Sequence, residues 1–112
     1  MPHAANLSYT VAVSFTDPAL ADQWLAWLRG GHVAEILASG AAAAEIVEMD
    51  SPPSGVARHF EVRYRFPTRP AFLEYEQNHA PRLRAEGLGK FPPEKGVSYR
   101  RTLGVSIEQF NR

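Results

Sequence analysis

Apolar and polar residues alternate one for one over "LSYTVAVSF", residues 7–15. Leu7, Tyr9, Val11, Val13 and Phe15 fall on one face, and Ser8, Thr10, Ala12 and Ser14 on the other. Period two predicts a strand with one face buried. The same period returns in "ARHFEVRYRF", residues 57–66, where Phe60, Val62, Tyr64 and Phe66 oppose His59, Glu61, Arg63 and Arg65. "AAAAEIVEM" (41–49) is read as a strand from its place before the turn-rich "DSPPSG", against the helical preference of alanine. "VSYRRTLGVSIEQF" closes the chain with Val97, Tyr99, Leu103, Val105 and Ile107 in one phase. Arg101 intrudes on that apolar phase, so a bulge or a frayed start is expected there.

Between the strands the period lengthens. Asp17 and Pro18 form an N-terminal helix signal, a capping carboxylate before a proline whose missing N–H costs nothing in the first turn. Leu20, Trp24, Trp27 and Leu28 then recur at helical spacing until Gly30-Gly31 interrupts them. A short second piece, "HVAEILASG", is expected to turn Val33, Ile36 and Leu37 inward and to stop at Gly40. "PTRPAFLEYEQN" begins the second helical stretch, and Pro81 must kink or restart it, with Asn78 as the expected cap. The order is β-α-β-β-α-β. It predicts an α+β, ferredoxin-like domain: a four-stranded antiparallel sheet with two broken helices on one face. A chain of 112 residues suits one such domain over 1–112, with its ordered core at about 7–108.

Composition narrows the chemistry. Lys plus Arg and Asp plus Glu are twelve each, so the net charge is zero and no global field draws the molecule to nucleic acid or to an anionic membrane. Aromatics of the first and third strands fall in the apolar phase, which also argues against base stacking. The absence of cysteine excludes disulfides, thiolate metal ligands and a cysteine nucleophile. The N-terminal stretch "MPHAANLSYTVAVSF" carries no basic n-region and no unbroken apolar run, and no segment is long and apolar enough to span a bilayer. A cytoplasmic protein is expected.

At "WLAWLRGGHVAEILASG" and "NHAPRLRAEGLGKF" the chain resembles an uncharacterised bacterial family, domain of unknown function 4286. The positions that carry the likeness are Trp24, Trp27, His32, Gly40, His79, Pro81, Leu83, Arg84 and Phe91. It departs from the family where Ala41 to Ala44 follow Gly40, a place at which an aromatic is usual. The resemblance implies the dimeric α/β-barrel branch of ferredoxin-like folds and no established activity. Relatives in the wider superfamily include cofactor-independent monooxygenases and small-molecule sensors.

His32 and His79 each head a short helical piece after a break, and imidazole titrates near neutrality, so they are the candidate acid/base groups. The competing account makes them donors to backbone carbonyls left open at the breaks. Neither has a carboxylate or second histidine at ligand spacing, so no metal site is assigned, and no cofactor is expected. Arg84 is the candidate anion clamp beside His79, while Arg82 is expected to face water, pairing at most with Glu86 at i, i+4. Tyr64 and Tyr75 are the polar tips of an apolar pocket between helices and sheet. On the other face, Arg63 and Arg65 wall a trough floored by Ser8, Thr10, Ala12 and Ser14, which serves either a ligand or a homodimer contact through the sheets.

These residues support a small-ligand-binding domain, the ligand being small and acidic and held in a helix–sheet pocket or a dimer lumen. One alternative is a cofactor-independent monooxygenase or isomerase with a histidine acid/base; another is a purely structural dimerisation module. Whether the protein is an enzyme stays open at this point.

Overall fold

A computed structural model describes residues 6–112. The five positions before them, which open the stretch read for a targeting signal, lie outside the described residues. The chain forms β1 (Leu7–Phe15), α1 (Pro18–Trp27), α2 (Val33–Ala38), β2 (Ala43–Glu48), β3 (Arg58–Phe66), α3 (Arg69–Asn78), α4 (Ala80–Lys90) and β4 (Val97–Val105). The four strands make one antiparallel sheet in the order β2-β3-β1-β4. This is the ferredoxin-like α+β fold, with all helices on one face.

Local chemistry explains the element boundaries. The Asp17 carboxylate accepts a hydrogen bond from the Ala19 amide at 2.9 Å, and Pro18 opens α1. Thr68 caps α3 in the same way, accepting from the Ala71 amide at 3.1 Å. Gly40 takes φ +128°, a conformation that an L side chain rarely adopts, and lets the chain leave α2 for β2. Arg58 ties the layers at their rim through ion pairs to Glu48 on β2 and Asp22 on α1.

The core lies where the alternation placed it. Tyr9, Val13, Phe15, Phe60, Val62, Tyr64 and Phe66 are buried beneath Leu20, Trp24, Leu25, Phe72, Tyr75 and Leu83. Three expectations fail. Leu37 points outward, 39% exposed, because Ile36, with Val33 half-buried against the core, takes the inward side of the short α2. No bulge forms at Arg101: β4 pairs with β1 without interruption from Phe15↔Val97 to Leu7↔Val105. An edge strand needs no bulge where the helices stop short of it, and Arg101 simply stays in phase beyond their cover. For the same reason Leu103 and Val105 are exposed although they keep the apolar phase, while Ile107 lies beyond the end of β4.

The two helix breaks differ in kind. Leu28 to His32 form a π turn that kinks at Gly31, whose φ +152° and ψ −24° are not helical, and the Val33 amide donates to the Leu28 carbonyl. The second break centres on His79, at φ −126°, ψ −40°, with Pro81 in the first turn of α4. Asn78 closes α3 instead of capping α4, and His79 occupies the cap position without a side-chain bond.

A candidate ligand cavity between helices and sheet

Sheet and helices enclose a narrow cavity of about 50 Å³. Its floor carries Tyr9, Val11 and Tyr64, and its open side carries Arg101 from the edge strand. Trp27 and His32 form one wall across the π turn; Tyr75, Leu83 and Arg84 form the other. No aspartate or glutamate lines it.

Each polar group has a definable state. The His32 ring stacks on Trp27 with centroids 4.0 Å apart and planes at 23°. Burial lowers its pKa to about 4, against the raising pull of Glu86 and Glu35, so the imidazole is neutral at pH 7. Its Nδ1 is buried and has no partner among the described residues. Arg84 donates to the Tyr9 hydroxyl at 3.0 Å and to the Glu76 carboxylate at 2.5 Å. Burial alone would lower its pKa, but the bonds to Tyr9 and Glu76 outweigh that and raise it, so the guanidinium stays charged. Its Nε is a second buried atom without a partner among the described residues. Burial raises the Tyr64 phenol pKa far above its ordinary value and pushes that of Tyr75 up to about 12. Both phenols therefore remain hydrogen-bond donors at any physiological pH.

The two histidines are separated. His32 belongs to the cavity, whereas His79 lies in a shallow cleft with Ser39, Gly40, Ala71 and Glu74. His79 Nε2 is 3.5 Å from the Glu74 carboxylate, and its side chain is 35% exposed. Arg84 lines the inner cavity instead, so the two residues expected to hold an anion together are not brought into one site. Arg82 also departs from expectation: besides Glu86 on its own helix it bonds Glu35 of α2 at 2.9 Å, bridging the two helical stretches.

Arg63 and Arg65 stand on the opposite face of the sheet. Arg63 pairs with Glu61 at 2.8 Å and with Glu45 at 3.7 Å, and Arg65 reaches the Asn6 side chain at 3.4 Å. Next to them a groove of about 380 Å³ runs over Thr10, Ala12 and Ser14, between His59 and Arg100. There the Ser14 hydroxyl and His59 Nδ1 share a hydrogen bond of 2.7 Å. The residues singled out from the sequence thus divide between two faces, with Arg84, Tyr64, Tyr75 and His32 inside and Arg63 and Arg65 outside. Among the described residues no cluster of three or more histidines, aspartates or glutamates is arranged to hold a metal ion, and no helix is long and apolar enough to cross a membrane.

Residues 7–106 match the family described as domain of unknown function DUF4286. The chain belongs to this family. Among solved structures it is similar to a Bacillus cereus protein provisionally named an antibiotic biosynthesis monooxygenase, at 8% identity and TM-score 0.69, covering 97% of this chain and 100% of that one. It is also similar to a dimeric ferredoxin-like protein from an uncultured marine organism, at 12% identity and TM-score 0.68, covering 95% and 99%. A Deinococcus radiodurans protein of the same provisional monooxygenase name aligns at 16% identity and TM-score 0.66, covering 95% and 97%. At such identities the likeness establishes the fold alone. No curated protein matches the chain in sequence.

For this DUF4286 domain, three cavity residues escaped the sequence reading as site residues. Tyr9 and Trp27 were assigned to packing by their period, which is true of most of their surface. Arg101 did give a signal, a cation in an apolar phase, but that signal fits a bulge as readily as a charge placed at a cavity mouth.

Proposed function

We propose that the domain binds a small acidic molecule in the cavity between its helices and sheet. The observation that supports this is the donor-rich lining: four tyrosines and two arginines, with no carboxylate among the lining residues. Arg84 is already neutralised by Glu76, so Arg101 at the mouth is the cation left over for an anion. Apolar walls with a few convergent polar groups are the usual make-up of a small-molecule site. Screening small acids against their neutral analogues by thermal shift tests the reading. An acid at a hundred times its dissociation constant should add about 2.7 kcal/mol to stability, visible as a rise in Tm. A screen in which acids and neutral analogues have equal effect, or none, overturns it.

Homodimerisation through the outer sheet face accompanies this reading, supported by a solved relative that is described as dimeric. Small residues at Thr10, Ala12 and Ser14 leave that face shallow enough for a second sheet to approach. Burial of roughly 1,200 Å² or more is needed for a stable contact. Sedimentation showing a monomer at micromolar concentration contradicts this assembly. If the site performs chemistry, the acid/base group in reach is His32, because His79 does not line the cavity.

A further inference from the structure

The outer face of the sheet carries a second set of polar groups, none of which reaches the inner cavity. Across the strand register Ser14 lies opposite His59 on β3 and Ser98 on β4, and Ala12 lies opposite Glu61 and Arg100. Opposed residues stand roughly 4.5–5.5 Å apart and diagonal ones roughly 7–8 Å, so the long Arg100 side chain can reach the Ser14–His59 row. Ala12 has only a methyl group and leaves a hollow between the two rows. The groove of about 380 Å³ follows it and continues over Thr10 and Thr102. It is open to solvent, so its volume sets no limit on the size of a ligand.

The donors of this groove follow from its bonding. The Ser14 hydroxyl and His59 Nδ1 are 2.7 Å apart and share one hydrogen. When Ser14 donates, the proton of a neutral imidazole sits on Nε2; when Nδ1 donates, the Ser14 hydroxyl hydrogen is free. Either tautomer leaves one N–H or O–H of the pair unused within it. Ser98 adds a hydroxyl from β4. Among the cations of this face, Arg63 is held by Glu61 and Glu45 and Arg65 reaches Asn6. Arg100 has no carboxylate partner among the described residues. Glu61 also lines the groove, but it accepts two bonds from Arg63, at 3.0 and 2.8 Å, which offset its charge.

A guanidinium with hydroxyl and imidazole donors from three strands offers more hydrogens than the two oxygens of a carboxylate use. A phosphate group presents three or more acceptor oxygens and a larger negative charge. Independently of the inner cavity, we infer that this groove holds a phosphate, free or as the monoester of a small molecule. Arg100 supplies the counter-charge, and Ser14, His59 and Ser98 the further donors. Thr10 and Thr102 give the rest of an ester a polar course along the groove. All these groups come from one chain, so the site does not depend on a second copy packing on the same face. No bond is made or broken in this assignment.

NMR titration of the whole chain tests it, with inorganic phosphate, glycerol phosphate and acetate as probes at fixed pH and ionic strength. The His59 ring signal, identified by its loss in His59→Gln, should move and saturate with a phosphate probe. Arg100→Gln should weaken that binding about tenfold, the worth of one charge-assisted hydrogen bond, at unchanged melting temperature. Arg101→Gln, one residue away on the opposite face, should not. Tighter binding of glycerol phosphate assigns an ester, tighter binding of inorganic phosphate assigns the free ion, and both support the site. Acetate matching the better phosphate probe at His59 overturns the phosphate assignment. Weakening by Arg101→Gln, alone or to the same extent as by Arg100→Gln, assigns the anion to the inner cavity or to diffuse charge and overturns the site. A His59 signal that no probe moves overturns it as well.

Discussion

Two breaks interrupt the helices of this domain, and each delivers a histidine, yet the two histidines end in opposite environments. At the first, Gly30-Gly31 permit a π turn that kinks at Gly31, and the His32 ring stacks on Trp27. At the second, Pro81 cannot share the space of the carbonyl four residues back, so the helix stops and restarts. His79 is left at the junction, half-exposed beside Glu74. The first break turns through a glycine of positive φ, and the second through a stop and restart ahead of Pro81. Similar short sequences, "HVAEIL" and "HAPRLR", therefore place imidazoles in a cavity wall and on a surface.

The largest effect that tests this contrast is expected at the wall. Trp27→Ala should cost about 3 kcal/mol, the lower end for an aromatic truncation because Trp27 is only partly buried, whereas Glu74→Gln beside His79 should cost under about 0.5 kcal/mol. Chemical denaturation measures both, and similar losses would erase the distinction between the breaks.

The pH dependence comes next in size. The folded pKa of His32, about 4, lies below its ordinary value of 6.5, so the unfolded chain takes up the proton first as pH falls. This contribution to stability is complete above pH 6.5 and is lost between there and pH 4. Its size should be about 2 kcal/mol, below the full value of the shift because the ring keeps partial contact with water. His32→Gln should remove that slope from the stability profile, and His79→Gln should leave it in place. An unchanged slope in His32→Gln would show that the imidazole is solvated.

Gly31 offers a finer probe. Alanine there must adopt φ near +152°, and the strain should cost about 1–2 kcal/mol. No atom lies within 4 Å of the added methyl, so backbone conformation alone is tested. A neutral Gly31→Ala would mean that the π turn readily relaxes to another form. Smallest of all, Arg82→Ala removes an exposed bridge between α2 and α4, and chemical denaturation should show stability almost unchanged.

The strands, the helix starts and the inward aromatics could be read from the chain because each depends on neighbours a few residues away. Alternation in β1 and β3, Asp17-Pro18 and the position of Pro81 act through local sterics and hydrogen bonds, and the structure follows them. The outer end of β4 could not be read in this way. Leu103 and Val105 have the pattern of a buried strand, but burial requires a covering layer, and helix length and placement decide how far that layer extends.

The same division applies to the candidate site. The sequence by itself determined a ferredoxin-like domain with two interrupted helices, because period, caps and breakers are properties of short segments. It also supplied most of the cavity's polar residues as candidates, since arginines, tyrosines and histidines stand out against an apolar pattern. Only the tertiary structure decided which of them meet. It brought Tyr9, Arg84 and Glu76 together across 75 positions of chain and placed Arg101 at the mouth, while Arg63 and Arg65 stand on the far side of the sheet as their alternation predicts. The physical reason is that a strand's two faces are told apart by alternation alone. Which helix side chain hangs over which strand depends on how the layers pack, and no local period records that.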